Sequence, residues 1–392
     1  MPSRRLRDYF SETASKRLRA VEADPGRSNQ HEFNGISGLR KLLGDDRCSF
    51  DARFVFLDDE QEPIAEDVEV TWYDARENNP QRSAEYRLYF PSSSVSSSWQ
   101  EGDLVLFLRT RSGDFYTVVA RAGTSVEAQL IWLFDLPSDV FRLKLVEPDD
   151  KELKLIERSI LELIGIEVSA VDQGLLYPII SRFGARFPTT FEFSAFAREM
   201  TGEVDPIRMP DDSLLAWMEM EELLFHTLEN HLVSQRLEAG FDDVEAFISF
   251  SLSVQNRRKS RAGHAFENHV EQILIDNRIS YSRGAVTEGK SKPDFIFPGI
   301  DSYHDLSFPT DRLRMLAVKT SLKDRWRQIL AEAERISEKH LITLQPAISA
   351  QQTDEMRFNS VRLVVPEPVQ NSYADEQQRW LMSFREFMTL VE

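Results

Sequence analysis

Hydrophobic patterning changes character at Glu147, and this break limits the possible folds more than any other feature of the sequence. Before it, residues 53–57, 68–73, 86–90, 104–109 and 115–120 are short runs rich in Val, Phe, Tyr and Leu. Turn-forming clusters separate them: Asp58-Asp59, Glu77-Asn78-Asn79-Pro80 and Arg111-Ser112-Gly113-Asp114. Short strands at regular spacing predict a β barrel or sandwich, with short helices at 37–43 and 126–134. After the break, Leu153, Ile156, Ile160, Leu161 and Ile164 recur at helical spacing until Gly165. Further helices are predicted at 193–200, 213–232, 244–253 and 265–277, with Met209-Pro210-Asp211-Asp212 as a helix start. Strands at 293–297, 314–319, 341–344 and 361–365 then alternate with helices at 324–339 and 376–390. That alternation predicts an α/β sheet. The expected organisation is multidomain: a β-rich domain over 1–146, a linker over 147–183 and an α/β domain over 184–392.

Composition narrows the setting. Of 392 residues, 41% are hydrophobic, enough for substantial cores. The single cysteine, Cys48, excludes an intramolecular disulfide and a zinc site built from cysteines. No apolar run reaches the roughly 18–20 residues that span a bilayer. A cytoplasmic protein without membrane contact is expected. The net charge of −18, from 47 Lys+Arg against 65 Asp+Glu, opposes nucleic-acid binding unless base is concentrated locally. Two acid-poor basic runs meet that condition: Arg257-Arg258-Lys259 with Arg261, and residues 319–327.

Asp294 opens one predicted strand and Lys319 ends a nearby one, so the two can meet at one edge of a sheet. Phosphodiester hydrolysis uses such a pair. The carboxylate holds Mg²⁺, which takes hard oxygen ligands. The ion acidifies a water and offsets charge on phosphorus, and the lysine orients or deprotonates that water. This is the pattern of PD-(D/E)XK nucleases. Their usual second acid, two residues before the lysine, is absent here, because that position is Ala317. On the predicted helix 324–339, Trp326, Ile329, Leu330, Ala333 and Ile336 form one apolar stripe, with Glu332 at its margin. Glu332 can supply the missing acid from there. Taken alone, it reads as a solvated helix acid like Glu334 and Glu338, and Pro293-Asp294 as a turn.

Several longer runs carry a resemblance. They are Asn256-Arg257-Arg258-Lys259-Ser260-Arg261-Ala262-Gly263, Lys292-Pro293-Asp294-Phe295, Tyr303-His304-Asp305, Arg314-Met315-Leu316-Ala317-Val318-Lys319-Thr320, Lys323-Asp324-Arg325-Trp326-Arg327-Gln328-Ile329-Leu330 and Val361-Arg362-Leu363-Val364-Val365-Pro366. Through them, residues 253–366 closely resemble the catalytic domain of EcoRII-type type II restriction endonucleases. The resemblance implies a restriction-endonuclease-like α/β domain with a permuted site: Asp294 and Glu332 as Mg²⁺ ligands, and Lys319 as base or electrostatic stabiliser. It also implies a further acid at Glu267 and a supporting Tyr303. Lys323, Asp324 and Arg325 become readers of C·G pairs, since Arg and Lys donate to guanine and Asp accepts from cytosine N4. Read without the resemblance, the triplet is a helix cap with flanking cations. Arg257, Arg258, Lys259 and Arg261 are expected to bind phosphate.

Ser28-Asn29-Gln30-His31-Glu32-Phe33-Asn34-Gly35 and Gln81-Arg82-Ser83-Ala84-Glu85-Tyr86-Arg87 resemble, less closely, the paired DNA-gripping loops of a B3-like pseudobarrel. This implies a DNA-binding effector domain contacting DNA through His31, Asn34, Arg82, Glu85 and Arg87. The whole chain then reads as a Mg²⁺-dependent restriction endonuclease, probing double-stranded DNA as a homodimer at CCWGG or a close relative. A cognate cytosine methyltransferase is its implied genetic partner. A DNA-binding regulator without cleavage and a non-specific repair nuclease are the alternatives. Intact Asp294, Lys319 and Glu332 argue against the first, and the Lys323-Asp324-Arg325 match argues against the second.

Overall fold

The computed structural model describes residues 5–23, 31–34, 36–79, 81–137, 142–168, 171–322 and 325–392. These fall into two units: Met1–Glu167 with Ala347–Ser349, and Val168–Pro346 with Ala350–Glu392. The division lies inside the stretch 147–183, which carries helices at Leu155–Leu163 and Gln173–Phe183.

The first unit is built on one sheet. Its strands are β1 (Phe10–Arg17), β2 (Glu32–Phe33), β3 (Cys48–Leu57), β4 (Ile64–Asp74), β5 (Tyr86–Tyr89), β6 (Leu104–Thr110), β7 (Phe115–Ala120) and β8 (Lys144–Val146). Their order is β2-β5-β4-β3-β7-β6-β1-β8. The β3–β7 pair is parallel and the other pairs are antiparallel. One face of the sheet packs on a large apolar core. Phe33 from one edge strand belongs to the same apolar cluster as Phe54, Trp72 and Phe107, and Leu145 from the opposite edge packs on it. Gly38 lets the chain approach β8 closely, because a Cβ there would stand 3.0 Å from the Leu143 side chain.

The five strands expected from hydrophobic runs are all present, and β1, β2 and β8 are additions, of which β1 is the longest. The sequence of β1, Phe-Ser-Glu-Thr-Ala-Ser-Lys-Arg, shows no apolar alternation, yet Thr13, Ser15 and Lys16 are buried. Thr13 donates to Val146 O at 2.8 Å, and Lys16 pairs with buried Glu22. Lys16 therefore occupies a core position because its charged partner is also inside.

The second unit holds a mixed sheet of β9 (Ser282–Arg283), β10 (Phe295–Phe297), β11 (Arg314–Val318), β12 (Lys339–Ile342) and β13 (Val361–Val364), in the order β13-β12-β11-β10-β9. β12 is parallel to β11 and β13, whereas β10 is antiparallel to β9 and β11. Helices Thr190–Met200 and Pro210–Ala239 pack through Phe193, Ala197, Leu224 and Leu228. The helix start read at Pro210 is present. Asp211 caps a different helix, accepting the backbone N–H groups of Phe384 (2.8 Å), Arg385 (3.0 Å) and Glu367 (3.1 Å).

Four predicted helices differ from what is observed. The stretches 244–253 and 265–277 form one helix, Val244–Asp276, which continues through the basic run. The predicted closing helix 376–390 is broken: Asp375–Gln378 is one turn, Met382 bonds alongside β13, and Phe384–Val391 is a separate helix. The predicted helix 324–339 does not exist as such. Arg325–Gln328 is a single turn, Ile329–Ala331 is a 3₁₀ turn, and Glu332 is extended.

Candidate active site

Asp294 and Lys319 meet at one edge of the second sheet. Phe295 pairs with Leu316 across the β10–β11 ladder, so Asp294 lies beside the end of β11. Asp294 Oδ2 accepts from the Val318 N–H at 2.7 Å and from Lys319 Nζ at 2.8 Å. The Lys319 N–H is held in turn by Ile342 O at 3.0 Å. Regular strand geometry on both sides thus fixes carboxylate and ammonium. Ala317, where the usual second acid would sit, is fully buried.

Glu332 lies in the segment after the 3₁₀ turn, not on a helix as the sequence predicts. Burial pushes its carboxyl up; Lys319 opposes that shift and Asp294 adds to it, so the three groups share one electrostatic neighbourhood. The apolar stripe was read correctly as buried, since Trp326, Ile329, Ala333 and Ile336 are all inside. A run of short turns satisfies the same spacing. Among the described residues, the Glu332 carboxylate and Asp294 Oδ1 have no hydrogen-bond partner. Two carboxylates with free oxygens are a hard donor set that fits a small divalent cation.

The sequence missed the residues that hold this segment. Lys339, expected at the end of a helix, opens β12 and is buried. Its Nζ donates to Ala333 O (3.0 Å) and Ile336 O (2.8 Å). Arg335 donates to the carbonyls of Tyr303, Asp305 (3.0 Å) and Phe308 (3.1 Å). No local pattern distinguishes these cations from the solvated ones beside them.

Tyr303 is 1% exposed, and its phenol donates to Glu288. Burial first, and that bond second, push the hydroxyl's pKa up. A buried, bonded phenol suits support rather than attack. Glu267, on the Val244–Asp276 helix, pairs with Arg283 of β9 at 2.9 Å, while Arg283 also binds Glu271 and Asn268.

The candidate DNA contacts divide sharply. Lys323 and Asp324 lie outside the described residues. Arg325 begins the turn after them and is exposed. Lys259 is exposed; Arg257 lies 4.4 Å from the Phe187 ring centroid. Arg258 pairs at 2.7 Å with Glu229, which is almost wholly buried. Arg261 corrects the expectation of phosphate binding. It is buried, lies over the Phe193 and Phe225 rings at 4.4 and 5.0 Å, and faces Glu221 at 3.5 Å. Burial lowers its pKa. Its guanidinium belongs to the helix packing and does not present itself to a backbone phosphate.

In the first unit, the two sequence segments resembling DNA-gripping loops become neighbours: Glu32 pairs with Tyr89 and Phe33 with Leu88. A polar cavity of about 390 Å³ beside them is lined by Arg76, Asn78, Asn79, Arg82, Glu85 and Arg87, among others. Arg87 bridges Glu32 (2.9 Å) and Glu85 (2.8 Å), and Glu85 also binds Arg76. Tyr73 donates to Glu32, and its hydroxyl is pushed up to about 12 by burial and that bond. Arg82 is exposed, whereas the half-buried His31 lies edge-on to Phe90 at 5.9 Å. Asn34 is anchored through its backbone, its carbonyl accepting from Lys16 at 2.9 Å.

Known proteins give this geometry a family. Residues 225–388 match the family model described as EcoRII C terminal. Over 206 residues, 52% of this chain, the sequence is 42% identical to the type II restriction enzyme EcoRII of Escherichia coli. The chain spans about half the length of that curated relative, 50%. Two solved structures also align. Metal-depleted Ecl18kI in complex with uncleaved, modified DNA has a TM-score of 0.45 at 20% identity, covering 56% of this chain and 82% of that one. Its complex with uncleaved DNA has a TM-score of 0.45 at 18% identity, over the same shares. The C-terminal region of the chain thus falls in the class of type II restriction-enzyme domains. Within that class it is of the EcoRII type. Among the described residues, no helix is long and apolar enough to cross a membrane.

Proposed function

We propose that the chain is a Mg²⁺-dependent type II restriction endonuclease that hydrolyses both strands of duplex DNA at a short C·G-flanked site, CCWGG or a close relative. The observation that carries this reading is the Asp294–Lys319 pair at one sheet edge, with Glu332 in the electrostatic neighbourhood of both. Asp294 and Glu332 would hold the ion. When bound, Mg²⁺ acidifies the attacking water and offsets charge on the phosphoryl oxygens. Asp294 uses its Oδ2 to fix the Lys319 ammonium at 2.8 Å. A donor held in this way suits stabilising charge at the phosphorus, in preference to removing the water's proton. Water oxygen bonds to phosphorus, the bond to the 3′ oxygen breaks, and the products are a 5′-phosphate and a 3′-hydroxyl. Digestion of a defined plasmid with Mg²⁺, followed by sequencing of the cut ends, tests the reading. Scattered ends, or an intact plasmid, would count against it.

Base readout falls to Lys323, Asp324 and Arg325 under this reading. Arg325→Ala should weaken cognate binding by about 1–3 kcal/mol, the worth of a bidentate base contact, and affect scrambled duplex much less. Lys259→Ala, by contrast, should weaken both alike and reduce the salt slope by about 1. Competition binding on the two duplexes checks both, and equal losses for Arg325→Ala would remove it from the readout set. Lys259 is the cleaner phosphate probe, because Arg258→Ala would also strand buried Glu229.

The first unit is, under the same proposal, a B3-like DNA-binding effector domain and brake. Its polar cavity at Arg82, Glu85 and Arg87 supports DNA contact. Recognition of a two-fold site by one centre per strand favours a homodimer. A cytoplasmic location and a cognate cytosine methyltransferase complete the reading. If the first unit is a brake, residues 168–392 alone should cut one-site DNA faster than the full chain by about 5–150-fold, the range of ordinary coupling energies. A second cognate duplex should relieve the full chain. Equal rates, with no response to added duplex, would make the first unit an affinity module.

A further inference from the structure

We propose that Lys339 and Arg335 are positioning residues for Glu332: with Glu288 they hold the irregular segment carrying that carboxylate, and so set the site's affinity for its divalent cation. The inference rests on the reading of Glu332 as a cation ligand.

Glu332 has no helix or strand to hold it. It is extended, and Ala333 then takes a φ of 46°, a left-handed conformation unfavourable for a residue with a Cβ. Such a conformation persists only where its surroundings impose it. Each of the next three residues is tied to an anchor. The Ala333 carbonyl accepts from Lys339 Nζ at 3.0 Å, as does the Ile336 carbonyl at 2.8 Å. The Glu334 N–H donates to Glu288 at 3.2 Å. The Arg335 N–H reaches the Tyr303 hydroxyl at 3.3 Å, while its guanidinium spans the carbonyls of Tyr303, Asp305 and Phe308.

Burying a lysine without a carboxylate at hydrogen-bond distance is costly. Lys339 is 6% exposed, and the hydrogen bonds described for its ammonium go to the two carbonyls that bracket the turn. That arrangement ties the end of Glu332's segment to the first residue of β12, the strand paired with β11 and hence with Lys319's own strand. The cluster therefore links the irregular segment of Glu332 to the sheet that fixes the other two site residues. Without the anchors Glu332 keeps its chemistry but must be ordered when the ion binds. That cost weakens cation affinity and leaves the rate at saturating cation largely intact.

The test uses the full chain with Lys339→Met, Arg335→Met and Glu332→Ala. Mn²⁺ binding is followed by the electron-spin resonance of the free ion, and plasmid cleavage is measured against Mg²⁺ concentration. Both anchor variants should bind Mn²⁺ about tenfold more weakly, the scale of one or two lost hydrogen bonds. Their half-saturating Mg²⁺ should rise in step, with kcat at saturation close to that of the parent. Folded anchor variants that bind Mn²⁺ as the parent does, or that lose kcat at every Mg²⁺ concentration with no shift in half-saturation, would overturn the inference. If circular dichroism reports that Lys339→Met does not fold, Arg335→Met is read against the same two outcomes. Unchanged Mn²⁺ affinity in Glu332→Ala would sink the ligand reading itself. Weakened affinity there, with normal affinity in both anchor variants, would sink the positioning role alone.

Discussion

Alanine at Lys319 is expected to lower DNA cleavage by about 10²–10³-fold or more, the usual cost of removing one preorganised stabiliser of transition-state charge. Asp294→Ala and Glu332→Ala should fall at least as far, because each removes one of two carboxylates available to the cation. The three losses should differ in their effect on folding. Asp294 Oδ2 accepts both the Val318 N–H and Lys319 Nζ, so its removal leaves a strand donor and an ammonium without their acceptor. Some fall in melting temperature should follow. The Glu332 carboxylate has no hydrogen-bond partner among the described residues, and its burial penalises the charged form. Glu332→Ala should therefore lose cleavage while melting no lower than the parent. Single-turnover cleavage at saturating Mg²⁺ and thermal denaturation of the same samples separate the two effects. Normal cleavage by Glu332→Ala would refute the assignment and make Glu267 the leading substitute.

The legibility of this site followed the regularity of the backbone. Asp294 and Lys319 stand at the ends of apolar strands, where period and length place them without knowledge of the rest of the chain. The apolar spacing around Glu332 identified the buried positions correctly. Its backbone was misread because the decisive contacts, Lys339 to Ala333 O and Arg335 to the 303–308 carbonyls, arise only once distant segments pack. Arg261 was misread for the opposite reason. The basic run drew attention to charge, although Arg261 lies four and eight residues before Ala265 and His269, both buried on the same helix. Periodicity extended back through the run would have put Arg261 on the inner face. The EcoRII-type character of the C-terminal region was legible because long runs carry it.

Lys16→Met should cost the first unit about 3–5 kcal/mol, the range for removing one partner of a buried ion pair. Lys16 and Glu22 are 1% and 0% exposed, with Nζ and Oε1 2.5 Å apart. Burial lowers the lysine's pKa, and Glu22 opposes that shift. Lys16 also donates to Asn34 O at 2.9 Å, and Glu22 accepts the N–H groups of Asn34 (2.8 Å) and Arg19 (3.0 Å). The methionine variant would leave Glu22 buried opposite an apolar chain. Lys16→Met with Glu22→Gln should recover part of the loss, because an amide keeps an acceptor for the Asn34 N–H and strands no charge. The pair also joins strand β1 to the segment of His31 and Asn34, so Lys16→Met should weaken DNA binding by this unit even where it remains folded. Urea denaturation followed at the first unit's transition gives the stabilities, and fluorescence anisotropy with labelled duplex gives the binding. A loss below about 1 kcal/mol, the scale of an exposed pair, would mean that water reaches Lys16 and Glu22 in solution. A double variant as unstable as Lys16→Met would instead place the cost in the lost Asn34 carbonyl contact, making the lysine an anchor for that loop before it is a counter-charge for Glu22.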